Sequence, residues 1–268
     1  MSAELSGKAS LSGVTPEDAA RFCEISRRAL IDGRDSGGAE GSPLIGTLGE
    51  RTLHAVVKAY FEPDPAFREV RIGRYVADIC RDGRVIEIQT RSFRSLRGKL
   101  GAFAPGYRVT VVYPVAREKY VSWIDPETGE ITSRRKSPKR GTVYDLLPEL
   151  YALRPVMPLE NVDFAVLFVD TEEYRLLNGR SRDRKRFGAE RAERIPTALG
   201  GIERFETPED WLKLIPDTLP EDFGTADFAG AARMTRYTAG NSLRTLETLG
   251  AVVRVGRNGN ALVYKRNQ

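Results

Sequence analysis

Asp78 and Glu87 are the residues whose placement first suggests chemistry. They lie in Tyr75-Val-Ala-Asp-Ile-Cys-Arg-Asp-Gly-Arg-Val-Ile-Glu-Ile-Gln-Thr90, two alternating runs on either side of Asp82-Gly83. That dipeptide suits the φ > 0 positions of a two-residue hairpin turn. Counting outward from Arg81 and Arg84 sets Cys80 against Val85, Ile79 against Ile86, and Asp78 against Glu87. Gln89, two residues on, shares a face with Glu87. Two carboxylates opposed across strands destabilise a hairpin unless something neutralises them. A divalent cation would do so. Without such an ion the stretch is an ordinary charged hairpin, which leaves the opposed acids unexplained.

A third acid, Glu50, falls on the helix expected over Leu48–Phe61. Its core stripe is Leu53, Val56, Val57 and Tyr60, and Glu50 lies within about 20° of Val57 around the axis. A carboxylate on a buried stripe needs a partner. Thr47-Leu-Gly-Glu50 also fits a capping box, in which Glu50 bonds back to the helix start. His54 follows one turn later; a packed structural role is favoured over contact with the acids. As the single histidine it excludes a His-cluster metal site and leaves a Ser-His-Asp triad no other base. Cys23 and Cys80 give neither a disulfide framework nor zinc spacing. Cys80 reads as small packing beside Asp78.

The elements that must hold these residues follow from periodicity. A helix opens at Thr15-Pro16 and runs to about Ile31, with a Gly- and Ser-rich linker after it. Strands are expected at Arg68–Ile72, Tyr75–Cys80 and Val85–Thr90. A helix over Phe93–Phe103 carries Arg94, Arg97 and Lys99. A buried strand at Tyr107–Val115 comes next. Glu118–Asp125 and Glu130–Ser133 read as a second hairpin, 142–153 as helix, and Val162–Asp170 as strand, with a helix carrying Glu172 and Glu173 behind it. Pro-rich residues 196–219 read as a connector. Helices at Thr225–Ala232 and Thr238–Leu249 then precede a hairpin around Asn258-Gly259.

The order of the Glu50 helix, the Asp78 strand, the Glu87-Ile-Gln89 strand, a helix and a buried strand resembles the PD-(D/E)XK nuclease superfamily. The resemblance covers about residues 44–115 and extends to about 170. It implies a restriction-endonuclease-like α/β core, a mixed β-sheet flanked by helices. It implies further that Glu50, Asp78 and Glu87 surround Mg²⁺, with Mn²⁺ as the alternative ion. The family's lysine position falls on Gln89, which can orient a water but carries no charge. Arg91, further along the same face, could supply it. Ala77 stands where the family often has Pro.

The C-terminal segment resembles a winged-helix DNA-binding domain. Its second helix would present Arg236, Tyr237, Thr238, Asn241 and Arg244 to the major groove. Arg254, Arg257 and Lys265 on or beside the wing suit phosphates; a winged helix used for protein contacts is the alternative. Two basic runs in the first domain, with Arg134, Arg135 and Lys136 in one and Lys185 and Arg186 in the other, could clamp a duplex. Either run alone is more often a solvated face.

Composition sets the bounds. The chain has 268 residues, 41% hydrophobic and 29% charged, and a formal charge of +5, as soluble globular proteins do. No apolar run approaches a membrane span. The N-terminus has no apolar signal region, so a cytoplasmic location is expected. The expected division is an N-terminal helix and linker over 1–43, a nuclease-like domain over 44–195, the connector over 196–219 and a winged helix over 220–268. The expected function is metal-dependent hydrolysis of double-stranded DNA in restriction, defence or repair. A non-catalytic DNA-binding protein on a vestigial nuclease fold, and a structural module with charged hairpins, are the alternatives. A homodimer would allow double-strand cuts, though no sequence feature marks an interface.

Overall fold

A computed structural model of the chain describes residues 13–35, 51–90, 92–131, 134–157, 160–179 and 189–267. Its centre is a seven-stranded sheet built from β1 (Arg68–Ile72), β2 (Tyr75–Arg81), β3 (Arg84–Ile88), β4 (Arg108–Ile124), β5 (Arg135–Lys136), β6 (Val162–Leu176) and β7 (Glu190–Phe205). The order is β1-β2-β3-β4-β6-β7, with β5 on the outer part of β4. The pairs β1/β2, β2/β3 and β6/β7 are antiparallel, while β3/β4 and β4/β6 are parallel. Parallel neighbours need a crossover. Here α3 (Arg97–Phe103) supplies one, and α4 (Leu147–Leu153) lies in the other. The fold is therefore α/β with a mixed, helix-flanked sheet, as expected.

The period of two along each strand sends neighbouring residues to opposite faces. Val111 joins a buried cluster with Phe93, Leu100, Leu146 and Leu150 beneath α3 and α4. Val112 joins Leu53, Val56, Val57 and Phe22 beneath α1 (Pro16–Asp35) and α2 (Arg51–Phe61). Each face thus buries an apolar helix stripe, the dominant favourable contribution to folding.

The hairpin turn forms as read: Asp82 and Gly83 sit at φ of 50° and 74°. The register is the one counted from it, with Cys80 opposite Val85 and Ile79 opposite Ile86.

Three expectations need correction. Residues 172–173 are strand, not helix. Glu172 accepts from Arg134 at 2.8 Å, and buried Glu173 accepts from Arg175 at 2.7 Å. Cations within reach make charged positions tolerable inside β6. Second, β4 runs unbroken from Arg108 to Ile124, and the returning arm of its hairpin pairs at Arg135–Lys136. Third, residues 196–205 are not connector but the second half of β7. Pro196 and the pair Gly200-Gly201 disguise this strand. An outermost strand needs ladder bonds on one side only, so it tolerates Pro. Register shifts along β6/β7 absorb the irregularity.

After β7 the chain forms β8 (Phe223–Gly224), α5 (Thr225–Ala231), α6 (Arg236–Thr248), β9 (Val252–Asn258) and β10 (Ala261–Arg266), with strand order β8-β10-β9. The sequence of helix, turn, helix and hairpin is as expected. This unit has no separate core: Phe228, Leu243, Leu246 and Tyr264 belong to the same buried cluster as Leu150, Phe164 and Trp211. No helix among the described residues is long and apolar enough to cross a membrane.

Candidate active site

Asp78 and Glu87 meet where β2 and β3 part. The ladder pairs Arg81 with Arg84, Cys80 with Val85 and Ile79 with Ile86. In a continuing ladder of this phase the Ile88 amide would face the Ala77 carbonyl. It donates instead to Asp78 Oδ2, at 2.8 Å. The Asp78 amide donates to Glu87 Oε1 at 3.2 Å. Each carboxylate thus satisfies a backbone donor on the other strand, and the fork is braced by the two acids themselves. On its far side, β3 is held parallel to β4, and the Gln89 amide donates to the Val112 carbonyl at 2.9 Å.

A histidine and two lysines reach the pair from both helix layers. On α2, His54 Nε2 lies 3.1 Å from Asp78 Oδ2, and Lys58 Nζ lies 3.8 Å from Oδ1. On α3, Lys99 Nζ lies 2.8 Å from Glu87 Oε2. Glu87 is 1% exposed. Like-charge repulsion across the hairpin is therefore offset within the chain, by side chains that the helices on each face aim inward. Lys58 also bonds Glu69 at 2.9 Å.

The two acids are pushed apart in acidity. Burial raises the Asp78 carboxyl, but the His54 bond and charge, the Ile88 amide and Lys58 outweigh it, and the group sits below the usual carboxylate range. Burial and the neighbouring Asp78 charge raise Glu87, and Lys99 and the Asp78 amide pull it only part of the way back. Paired acids with opposite shifts are a common arrangement where proton transfer or charge stabilisation is done.

The remaining expected site residues fall out differently. The Gln89 side chain is engaged elsewhere: its Nε2 donates to the Ser92 carbonyl at 2.8 Å and to Ser95 Oγ at 2.9 Å, tying down the turn before α3. Glu50 and Arg91 lie outside the described residues. His54 is not merely packed, since it touches Asp78. Lys99 was visible as a helix cation, but sequence did not assign it to Glu87. Its signal is position: it borders the buried stripe Leu96, Leu100 and Phe103, so its stem must run along the core toward the sheet.

A Mg²⁺ ion suits this donor set. Its ligands are hard oxygens, and each carboxylate offers about four lone-pair directions. Asp78 has bonds to His54 and Ile88, and Glu87 has bonds to Asp78 and Lys99, so both keep directions in reserve. Among the described residues no group of three or more His, Cys, Asp or Glu side chains converges as a metal site. The expected third acid, Glu50, is outside that set.

The expected DNA-contacting residues divide by what already engages them. Arg236, Tyr237 and Arg244 are exposed on α6, with Tyr237 79% exposed. Thr238 is occupied as partner to the Thr235 cap, and Asn241 is half-buried. Arg257 is exposed on β9. Arg254 pairs with Glu247 at 2.9 Å, and Lys265 pairs with Glu221 at 2.9 Å. In the first basic run Arg134 bonds Glu172 at 2.8 Å and stacks 3.3 Å over the Tyr120 ring. Lys136 and Arg140 share Glu118, while Arg135 is exposed. Much of this run is internally neutralised. Lys185 and Arg186 lie outside the described residues.

The fold is thus a mixed sheet between helix layers, with half-buried Asp78 and buried Glu87 flanked by lysines at a strand fork. Residues 51–206 match the family described as "Domain of unknown function (DUF8091)". That is more than half of the chain, and the chain belongs to this family. The match opens on α2 and closes at the end of β7, so it contains the whole acid–cation cluster. An uncharacterized protein of Treponema pallidum (strain Nichols) is 28% identical over 227 residues, which cover 83% of this chain and 87% of the relative. No solved structure matches.

Proposed function

We propose that the protein is a metal-dependent deoxyribonuclease that hydrolyses phosphodiester bonds in double-stranded DNA, in restriction, defence or repair. The observation that carries this reading is the meeting of half-buried Asp78 and buried Glu87, with Lys99 on Glu87, at one strand fork. Asp78 and Glu87 would hold Mg²⁺, with Mn²⁺ able to serve in its place and Glu50 as a further acid. Bound there, the metal would make a water more nucleophilic and stabilise charge on the scissile phosphate. Lys99 favours the charged form of Glu87 and supplies the positive charge that Gln89 lacks. His54 and the Ile88 amide fix the rotation of the Asp78 carboxylate. Residues 220–268 act as a winged helix that grips the duplex through Arg236, Tyr237, Arg244 and Arg257. The free thiols of Cys23 and Cys80 fit a reducing cytoplasm. A homodimer would make cuts in both strands.

One observation favours a second reading, a nuclease-like fold that binds DNA without cutting. His54, Lys58 and Lys99 already contact the two acids, and the Gln89 amide is taken up by Ser92 and Ser95. A single assay separates the two. Plasmid, linear, single-stranded and branched DNA are incubated with wild type, Asp78→Ala and Glu87→Ala in Mg²⁺ or Mn²⁺. Cleavage by wild type that either substitution abolishes is the expected outcome. Binding without cleavage, or equal cutting by all three proteins, refutes the nuclease reading.

A further inference from the structure

Among the described residues many surface cations already meet an acid. Arg117 pairs with Asp170 at 2.5 Å, Arg108 with Asp163 at 2.7 Å and Lys213 with Glu203 at 2.8 Å. The exception with a shape is a cavity of about 550 Å³ between the turn before α3 and the end of α4. Arg94, Arg97 and Arg154 line it together with Ser92 and Tyr151, and among the described residues no carboxylate does. Among the described residues none of the three arginines lies within ion-pair distance of an acid. A second basic cavity of about 360 Å³ contrasts with it. There Asp145 is part of the lining, Lys139 lies 3.9 Å from it, and Lys119 lies 3.5 Å from Glu173.

Three like charges gathered in a concavity repel one another, so an anion is the natural occupant. The guanidinium fork matches phosphate oxygens two at a time. The site is partly preorganised. Arg97 Nε donates to the Ala152 carbonyl at 2.7 Å, and Nη2 donates to the same oxygen. Ser92 is held by Gln89 through its carbonyl. Arg94 and Arg154 are exposed and able to close on a ligand. Tyr151 adds an aromatic side chain, on which a nucleobase can stack. The volume falls in the range of ordinary ligand sites, roughly 300–1,000 Å³.

We infer that this cavity is a phosphate-binding site, recognising the phosphate of a nucleotide unit through Arg94, Arg97 and Arg154. The inference does not require hydrolysis at Asp78 and Glu87. If those acids do cut, the cavity adjoins the chain segment leaving Glu87 and holds a phosphate other than the scissile one. The unit could belong to a nucleic-acid strand or to a free nucleotide, and the same chemistry serves both.

The test is titration calorimetry of the full chain with inorganic phosphate, dAMP and a single-stranded trinucleotide. Wild type is compared with Arg94→Ala/Arg154→Ala, which leaves the structural Arg97 in place, and with Arg94→Lys/Arg154→Lys. Both altered residues are exposed, so melting temperatures should match wild type and confirm folding. The expected result is at least tenfold weaker binding of dAMP by the alanine pair, with partial recovery in the lysine pair. A trinucleotide at least tenfold tighter than dAMP identifies a strand; equal affinities identify a free nucleotide. Wild type that binds none of the three probes, or an alanine pair within twofold of wild type, overturns the inference. Cleavage is measured separately on the same proteins. Phosphate binding lost in the alanine pair of a non-cutting protein sinks only the nuclease reading. Unchanged binding in a cutting protein sinks only this one.

Discussion

Replacing Lys99 by Met keeps most of the stem that packs beside Leu96 and Leu100 and deletes the charge on Glu87. At the 2.8 Å separation found here, the gross attraction is about 6 kcal/mol at an effective dielectric near 20. Desolvation of Glu87 offsets much of that, and Lys99 is 26% exposed, so solvent screens the rest. A net loss of about 2 to 3 kcal/mol at pH 8 follows. The loss must also depend on pH. Glu87 is already raised by burial and by Asp78, and removing Lys99 raises it further. A carboxyl raised in the folded state favours folding with its proton on. That contribution is complete below the unfolded value, and it disappears as pH climbs through the folded one. The variant should therefore lie close to wild type at pH 5 and fall behind it toward pH 8. Urea denaturation at both pH values measures this. Combining Lys99→Met with Glu87→Gln should recover at least about 1 kcal/mol relative to the sum of the single changes. A deficit equal at both pH values, together with additive single effects, would refute the coupling argued here.

Glu193, 5% exposed, is pushed up to about 7 by burial, against the Thr52 hydroxyl and the Arg194 amide. The gap from its ordinary 4.5 implies on the order of 3 kcal/mol of stability that is present at acid pH and lost as pH rises through 7. Glu193→Gln should flatten the melting temperature between pH 5 and 8; an unchanged slope would remove Glu193 as the cause. Ending the chain at Glu206 should expose Leu150, Phe164 and their neighbours, so the product should aggregate or melt broadly in calorimetry. A truncated protein with the wild-type melting temperature would show that the buried cluster divides into two. Arg134→Ala should cost under about 1 kcal/mol, since its pair with Glu172 is half-exposed; a larger loss by chemical denaturation would mean the Tyr120 stack contributes more than the ion pair.

The hairpin was legible because it is local. Asp82-Gly83 specifies a turn, and a turn fixes the register by counting. The apolar stripe of α2 was legible for the same reason, as period 3.6 is written in adjacent residues. What could not be read were the partners brought by tertiary packing. Lys99 is twelve positions from Glu87 and His54 twenty-four from Asp78, and no local pattern links them. The same blindness hid β7, whose strand character rests on its place at the edge of the sheet beside β6. It also hid the shared core of residues 220–268, because the unit's own pattern is that of a complete small fold. The three-arginine cavity was half visible as a basic helix. Arg154, contributed by a different element, is what makes it a concavity.

The two ends of the main sheet carry a consequence for self-association. A bare outer strand offers backbone donors and acceptors to any passing chain. Here one border is β1, five residues long, with Arg68 and Arg71 in it. The other is β7, interrupted by Pro196 and repeated register shifts. Neither presents the long, flat template that another copy could extend. Concentrated solutions should therefore resist growth into fibres.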